Sequence, residues 1–296
     1  MEKVYHFCIA DLGVNIVFQG DTGNSLRLAP SFMPFLVEEE KSPLLFTLVV
    51  DDSLKPCGKA QREHIRDFDT GNGITAVDRL ANGGYQYIIR NVEGYDCCLL
   101  ITNEDFTDCR CALNGNYNMR CFGLNNALML AFAFAGCQRQ CLLVHASLVR
   151  QDGYGYAFVA KSGTGKSTQV SMWLRNLPNC DLMNDDNPII RVIGGKPYIY
   201  GSPWSGKTPC YRSTKAPLGA VTSIVRSKTN HVDKLGVVQA FAALLPACSS
   251  MKWDKKSYDY ICDTITHVIE TTGIYELHCL PNPEAAILCN KTIKIK

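Results

Sequence analysis

A chain of 296 residues with 46% hydrophobic residues and a formal net charge of +2 has enough apolar material for one large core or two modest ones. Its Lys and Arg residues are spread along the chain rather than gathered in a stripe, which argues against a nucleic-acid partner and for a small-molecule or protein substrate. Its fifteen cysteines are odd in number, Met1-Glu2-Lys3 is followed by no apolar signal segment, and Cys97-Cys98, Cys109-x-Cys111 and Cys137-x-x-x-Cys141 lack zinc-site spacing. Buried thiols in a reducing cytoplasm are therefore expected.

Residues 1–121 read as short apolar or alternating runs cut by turns. Examples are VNIVF at 14–18, LLFTLVV at 44–50, YQYIIR at 85–90 and CCLLI at 97–101, with GDTGN, ANGG and NVEG among the breaks. A β-rich N-terminal domain is expected, assigned to substrate recognition or assembly. It holds no catalytic constellation: Asp51-Asp52 and Glu38-Glu39-Glu40 read as solvated turns.

From Phe122 the texture changes, which puts a domain boundary near residue 121 and a second domain over 122–296. The apolar run ALMLAFAFAG at 127–136 is well short of the ~20 residues a membrane span needs, so a core helix and no membrane association are expected. CLLVHASLV at 141–149 and YAFVA at 156–160 read as strands joined by the turn QDGYG. After them come a helix over residues 167–177, a short strand ending in NDD, the hairpin PIIRVIGGKPYIYG, the strand GAVTSIV, two helices within 236–271, and a terminal strand and helix. Interleaved strands and helices predict an α/β core, and the whole chain is then α+β.

Two stretches compete for the role of a phosphate loop. GSPWSGKT at 201–208 matches G-x-x-x-x-G-K-[ST] letter for letter, whereas AKSGTGKST at 160–168 spoils the first position with Ala160. Phosphate loops work through backbone N–H groups at a helix start, so context outweighs spelling. The strand YAFVA leads into AKSGTGKST, and Val170, Trp173, Leu174 and Leu177 form one apolar helical face after it, ended by Pro178. GSPWSGKT contains Pro203, which has no N–H, and bulky Trp204, and no helical pattern follows it. Phosphate binding is therefore assigned to Ala160, Lys161, Ser162, Gly163, Thr164, Gly165, Lys166, Ser167 and Thr168. Gly163 and Gly165 allow close approach, Lys166 reaches the outer phosphates, and the Ser167 hydroxyl binds Mg²⁺.

Downstream, CDLMNDDNP at 180–188 is expected to return parallel to YAFVA through a right-handed crossover, bringing Asp185 and Asp186 to the sheet edge that carries the loop. Two carboxylates there suit Mg²⁺ binding and acceptance of a proton from an attacking hydroxyl. The GTPase base-reading motif, the ABC-type signature and the protein-kinase motifs are absent.

Taken in order, LLVHASLVRQDGYGYAFVAKSGTGKSTQ, LMNDD, YGSPWSGK, APLGAVTSIVRS and LHCLPNPEAA resemble the catalytic domain of the HPr serine kinase/phosphorylase family, in particular its shorter relatives encoded near peptide-modification systems. They are more remotely similar to the ATP-type phosphoenolpyruvate carboxykinases, which share that core. The resemblance spans roughly residues 122–290 and leaves the first 120 uncovered. It implies an ATP- and Mg²⁺-dependent kinase acting on a serine or small-molecule hydroxyl, with a tendency to form homo-oligomers. Asp186, assisted by Asp185, would be the general base, Ser167 and Asp186 the metal contacts, and His145 would lie near the site. In the 201–208 loop, Ser205 and Lys207 stand where HPr kinases place an acidic metal ligand, so the resemblance implies no second metal contact there. The loop's position after the IIRVIGGKPYIYG hairpin, matching a family loop near the acceptor, implies an acceptor-side lid. No HPr-recognition segment matches, so HPr itself is not the expected acceptor. At the level of sequence, an ATP-binding sensor or scaffold without turnover and a carboxykinase-like activity stand as alternatives to the kinase.

Overall fold

The computed structural model describes residues 3–20, 23–206 and 208–295. The chain is a mixed α+β protein that divides into two compact units, Met1–Gly136 and Cys137–Lys296.

In chain order the first unit contains β1 (Lys3–Ile9), β2 (Leu12–Phe18), β3 (Leu36–Val37), β4 (Leu44–Val50), β5 (Arg62–Asp69), β6 (Ile74–Leu80), β7 (Tyr85–Arg90), β8 (Asp96–Thr102), β9 (Asp108–Leu113) and the helix α1 (Tyr117–Cys137). The strands form one sheet in the order β3-β1-β2-β4-β9-β8-β7-β6-β5, parallel at β2/β4 and β4/β9 and antiparallel elsewhere. Alternate residues of these strands supply the core, with Phe46, Leu48, Tyr85, Tyr87 and Leu100 all buried. Asp51 and Asp52 lie at a turn, as their sequence suggests, but they are half-buried and paired rather than freely solvated. Asp52 holds Arg120 and accepts from Asn24 Nδ2 and the Leu113 amide, each at 3.0 Å, while Asp51 pairs with Arg110 at 2.7 Å.

The change of texture at Phe122 falls inside α1, and α1 belongs to the first unit. Gly123 permits the approach: a Cβ there would sit 2.6 Å from the Cys97 carbonyl oxygen, so only glycine lets the helix lie this close to β8. Phe134, near the far end of α1, packs on Phe106 with ring centroids 5.3 Å apart. The helix extends N-terminally beyond the apolar run that predicts it. By length and composition it could cross a membrane, yet 61% of its apolar window is buried inside the protein, as in a core helix.

The second unit contains β10 (Cys141–Leu143), β11 (Ala146–Gln151), β12 (Tyr154–Val159), α2 (Lys166–Asn176), β13 (Cys180–Asp186), β14 (Ile189–Ile193), β15 (Lys196–Tyr200), β16 (Lys215–Arg226), β17 (His231–Lys234), α3 (Val237–Leu244), α4 (Lys255–Thr271), β18 (Gly273–Cys279) and α5 (Pro283–Ile293). Its sheet follows the order β10-β14-β15-β16-β12-β11-β13, with β18 parallel to β16 and β17 antiparallel to β18. The β14–β15 hairpin turns through Gly194 and Gly195 at φ 56° and 74°, the left-handed geometry a tight hairpin needs.

Side-chain alternation sends apolar residues to both faces. Leu148, Ala157, Val159 and Val221 pack with Ala240 and Leu244 of α3 and Ile261, Ile265 and Val268 of α4. Val149, Tyr156, Phe158 and Ala220 pack with Val170 and Trp173 of α2 and Ala285, Ala286 and Cys289 of α5. Trp173 is fully buried, its ring 5.3 Å from those of both Tyr156 and Phe158. Trp173→Ala is expected to cost about 3–5 kcal/mol, read as a lowered denaturant midpoint at unchanged slope.

Among the described residues no disulfide forms, and Cys97, Cys98, Cys109, Cys111, Cys137 and Cys141 are all buried. Burial raises the Cys137 thiol to about 11 and the Cys180, Cys248 and Cys289 thiols to about 12, so these groups stay protonated at neutral pH.

Candidate functional site

The strand run at 141–149 breaks at Val144-His145. β10 pairs with β14, whereas β11 pairs with β12 and β13. Between them the Val144 amide donates to Pro188 O at 3.0 Å and the His145 amide to Ala247 O at 2.7 Å. The break takes His145 out of the ladder, and its ring nitrogens face Lys166 at the start of α2 and Asp186 at the end of β13.

β11 runs antiparallel to both β12 and β13, so β12 and β13 point the same way with β11 between them. Ala146 is paired with Val159 on one side and Asp186 on the other, and Ser147 with Phe158 and Asp185. The strand leading into the glycine loop and the strand ending in Asp185-Asp186 thus finish at the same level of the sheet. The expected parallel return is realised with one strand inserted.

β12, residues 160–165 and α2 form a strand–loop–helix. Gly163 and Gly165 have φ of 75° and 131°, and at neither would an added Cβ meet a neighbour within 4 Å, so the loop turns sharply beneath open space. No side chain caps the start of α2, which leaves its first amides to serve an anion.

Lys166 is buried, and its Nζ donates to Ala160 O at 3.1 Å and to His145 Nε2 at 2.7 Å. With Nε2 accepting, the imidazole proton sits on Nδ1, which faces Asp186 Oδ1 at 3.4 Å. Asp186 Oδ2 accepts from Asn187 Nδ2 at 2.7 Å. A second cluster adjoins the first: Asp185 Oδ1 accepts from Ser167 Oγ at 3.0 Å and from Ser147 Oγ at 2.9 Å, with Asp185 and Ser147 both buried. The structure therefore pairs Ser167 with Asp185, whereas the sequence reading sets Ser167 and Asp186 as the metal contacts. In-register pairing with Ser147 turns the Asp185 side chain toward α2.

Burial lowers the His145 pKa, the Lys166 ammonium lowers it further and Asp186 opposes both; burial also lowers Lys166, against the pull of Asp186 and Asp185. For the metal-free protein, NMR titration is expected to place His145 below the ordinary value of about 6.5, with Lys166→Met raising it and Asp186→Asn lowering it further. A depressed histidine means that the unfolded chain takes up the proton first. Its contribution to stability is present above about pH 6.5 and is lost as pH falls toward the folded-state value.

GSPWSGKT lies against the same carboxylates. Asp186 and Ser205 form an isolated antiparallel bridge, and a Cβ on Gly206 would come within 2.8 Å of Asp185 O. The Ser205 hydroxyl is spent inside its own loop, donating to Thr208 O at 2.7 Å and accepting from the Cys210 amide at 3.2 Å. Asn184, fully buried, holds the loop through Ser202 Oγ at 3.2 Å and Trp204 O at 2.9 Å. Among the described residues no helix follows, and the chain runs on to β16. Lys207 lies outside the described residues.

Three contributors escape sequence reasoning: Ser147, Arg226 and Gln169. Arg226, at the end of β16, donates from Nε to Thr164 O at 3.0 Å and from a terminal nitrogen to Gly163 O, bracing the glycine loop. Gln169 on α2 is buried, its Nε2 has no hydrogen-bond partner among the described residues, and it lines a cavity of about 440 Å³ with Gly163, Gly165, Arg226, Cys279 and Leu280. The VRS ending of β16 is the only sequence signal for Arg226; nothing marks the other two. If the glycine loop holds a phosphate group, Arg226→Ala is expected to weaken that binding about tenfold, near the low end of a charged hydrogen bond, measured by calorimetry.

No family model and no curated protein matches this chain.

Proposed function

We propose that the chain is an ATP-dependent phosphotransferase, built on the P-loop core shared by HPr kinases and phosphoenolpyruvate carboxykinases, that moves the γ-phosphoryl group of ATP onto a serine or small-molecule hydroxyl. The observation that carries this reading is the meeting of the glycine loop's Lys166 and Ser167 with the carboxylates Asp186 and Asp185 at one sheet edge. A nucleotide and Mg²⁺ fit the residues present. Gly163 and Gly165 leave open space above the loop, and the adjoining cavity is lined by both glycines together with Thr164, Thr168 and Arg226. Ser167 and Asp185 supply the hard oxygen donors Mg²⁺ prefers.

In this reading the loop amides and Lys166 hold the phosphates, and Arg226 fixes the loop that does so. Mg²⁺, when bound, neutralises charge on the transferring group. Asp186 takes the proton from the acceptor hydroxyl, whose oxygen bonds to the γ-phosphorus as the bond to the ADP oxygen breaks. His145 Nδ1–H orients the Asp186 carboxylate, and the 201–206 segment flanks the acceptor side.

The test is incubation of the purified chain with γ-labelled ATP, Mg²⁺ and a panel of serine peptides and hydroxylated metabolites. Label transferred to a hydroxyl supports the reading. ATP binding without transfer to any member of the panel contradicts it and favours a sensor.

A further inference from the structure

The β17–β18 ribbon carries a cluster unrelated to the phosphate loop. His231 is paired directly with His278 and Asp233 with Glu276 across the antiparallel ladder. Strand alternation places all four on one face, opposite Val232, Leu277 and Cys279, which point into the core beside α2 and α5. The two imidazoles lie parallel, 7° apart in tilt, with centroids 4.3 Å apart. His278 Nε2 is 2.8 Å from Glu276 Oε1, and His231 Nε2 is 3.7 Å from Asp233 Oδ2.

One donor atom each from His231, Asp233 and His278 lies within 4.8 Å of the others, the only such group of three or more among the described residues. Parallel rings cannot both aim a nitrogen lone pair at one ion, so ligation turns the two imidazoles out of the stack about their side-chain torsions, each in the neutral form that ligates metals. Two carboxylates directly opposite each other across a ladder repel, a cost that a shared cation removes. The backbone beside the cluster is fixed: Asn230 Oδ1 accepts from the Leu280 amide at 2.8 Å and Asn230 Nδ2 donates to Asn282 Oδ1 at 2.9 Å, tying the start of β17 to the end of β18.

We propose that His231, His278 and Asp233, with Glu276 beside them, bind one first-row transition-metal dication of the zinc type. Imidazole nitrogens with carboxylate oxygens suit zinc, cobalt and nickel, whereas Mg²⁺ prefers oxygen alone. Ligands drawn from both strands make the ion a clamp between the edge strand β17 and β18. This inference does not depend on the phosphotransferase reading.

Cobalt(II) titrated into the reduced full-length chain is expected to bind with visible d–d absorption and no thiolate charge-transfer band, and to raise the thermal midpoint. His231→Gln, on an exposed edge position, is expected to abolish both effects while leaving the metal-free midpoint unchanged. Glu276→Gln is expected to weaken binding about 10–100-fold, as for groups that orient metal ligands. Should His278→Gln lower the metal-free midpoint, His231→Gln alone decides. Cobalt binding that persists in His231→Gln, a thiolate band, or no binding by the parent chain overturns the proposal.

Discussion

Lys166→Met is expected to lower phosphoryl transfer by about 10²–10³-fold, the range for removing one preorganised group that stabilises transition-state charge, and to weaken ATP binding as well. The side chain is buried and held by two fixed partners, Ala160 O and His145 Nε2. Its charge therefore needs little reorganisation to meet a phosphate, and methionine keeps the stem while deleting that charge. A coupled assay with calorimetry on the same samples checks both effects. Turnover within a few-fold of the parent would remove Lys166 from the phosphate role.

Asp186→Asn is expected to separate the two properties. Transfer should fall by about 10²–10⁴-fold, the range for loss of a general base, with ATP affinity close to that of the parent. Asp186 reaches Asn187 and His145, whereas Ser167 is held by Asp185. Asp185→Asn is accordingly expected to raise the Mg²⁺ concentration needed for half-maximal rate. If Asp186→Asn instead shifts the Mg²⁺ requirement while Asp185→Asn affects only the rate, the roles of the two carboxylates are exchanged.

The parts of this site visible in the sequence are those encoded locally. YAFVA, SGTGK and the apolar face ending at Pro178 announce a strand, a turn and a helix within one continuous stretch, and IIRVIGGKPYIY announces its own hairpin. The remainder depends on pairings between distant residues. CLLVHASLV looks like one strand because nothing local records that Val144 and His145 donate to Pro188 and Ala247 instead of to a ladder. Ser147 acquires a role only through its register opposite Asp185, and β11 stands between two strands that the chain visits later. The N-terminal unit was legible as β-rich because VNIVF, LLFTLVV, YQYIIR and CCLLI are buried strands bounded by turns. The division at Gly136 was not legible, since Gly123 ties α1 to the preceding strands by a contact that composition does not reveal.

The phosphotransferase proposal requires that residues 160–168, and not the better-spelled 201–208, hold the nucleotide phosphates. Calorimetric titration of ATP with Mg²⁺ into the parent chain, Lys166→Ala and Lys207→Ala tests it most directly. Lys166→Ala is expected to lose most of the affinity, and Lys207→Ala to bind ATP like the parent while losing turnover. Parent-like binding by Lys166→Ala together with loss of binding in Lys207→Ala would contradict it.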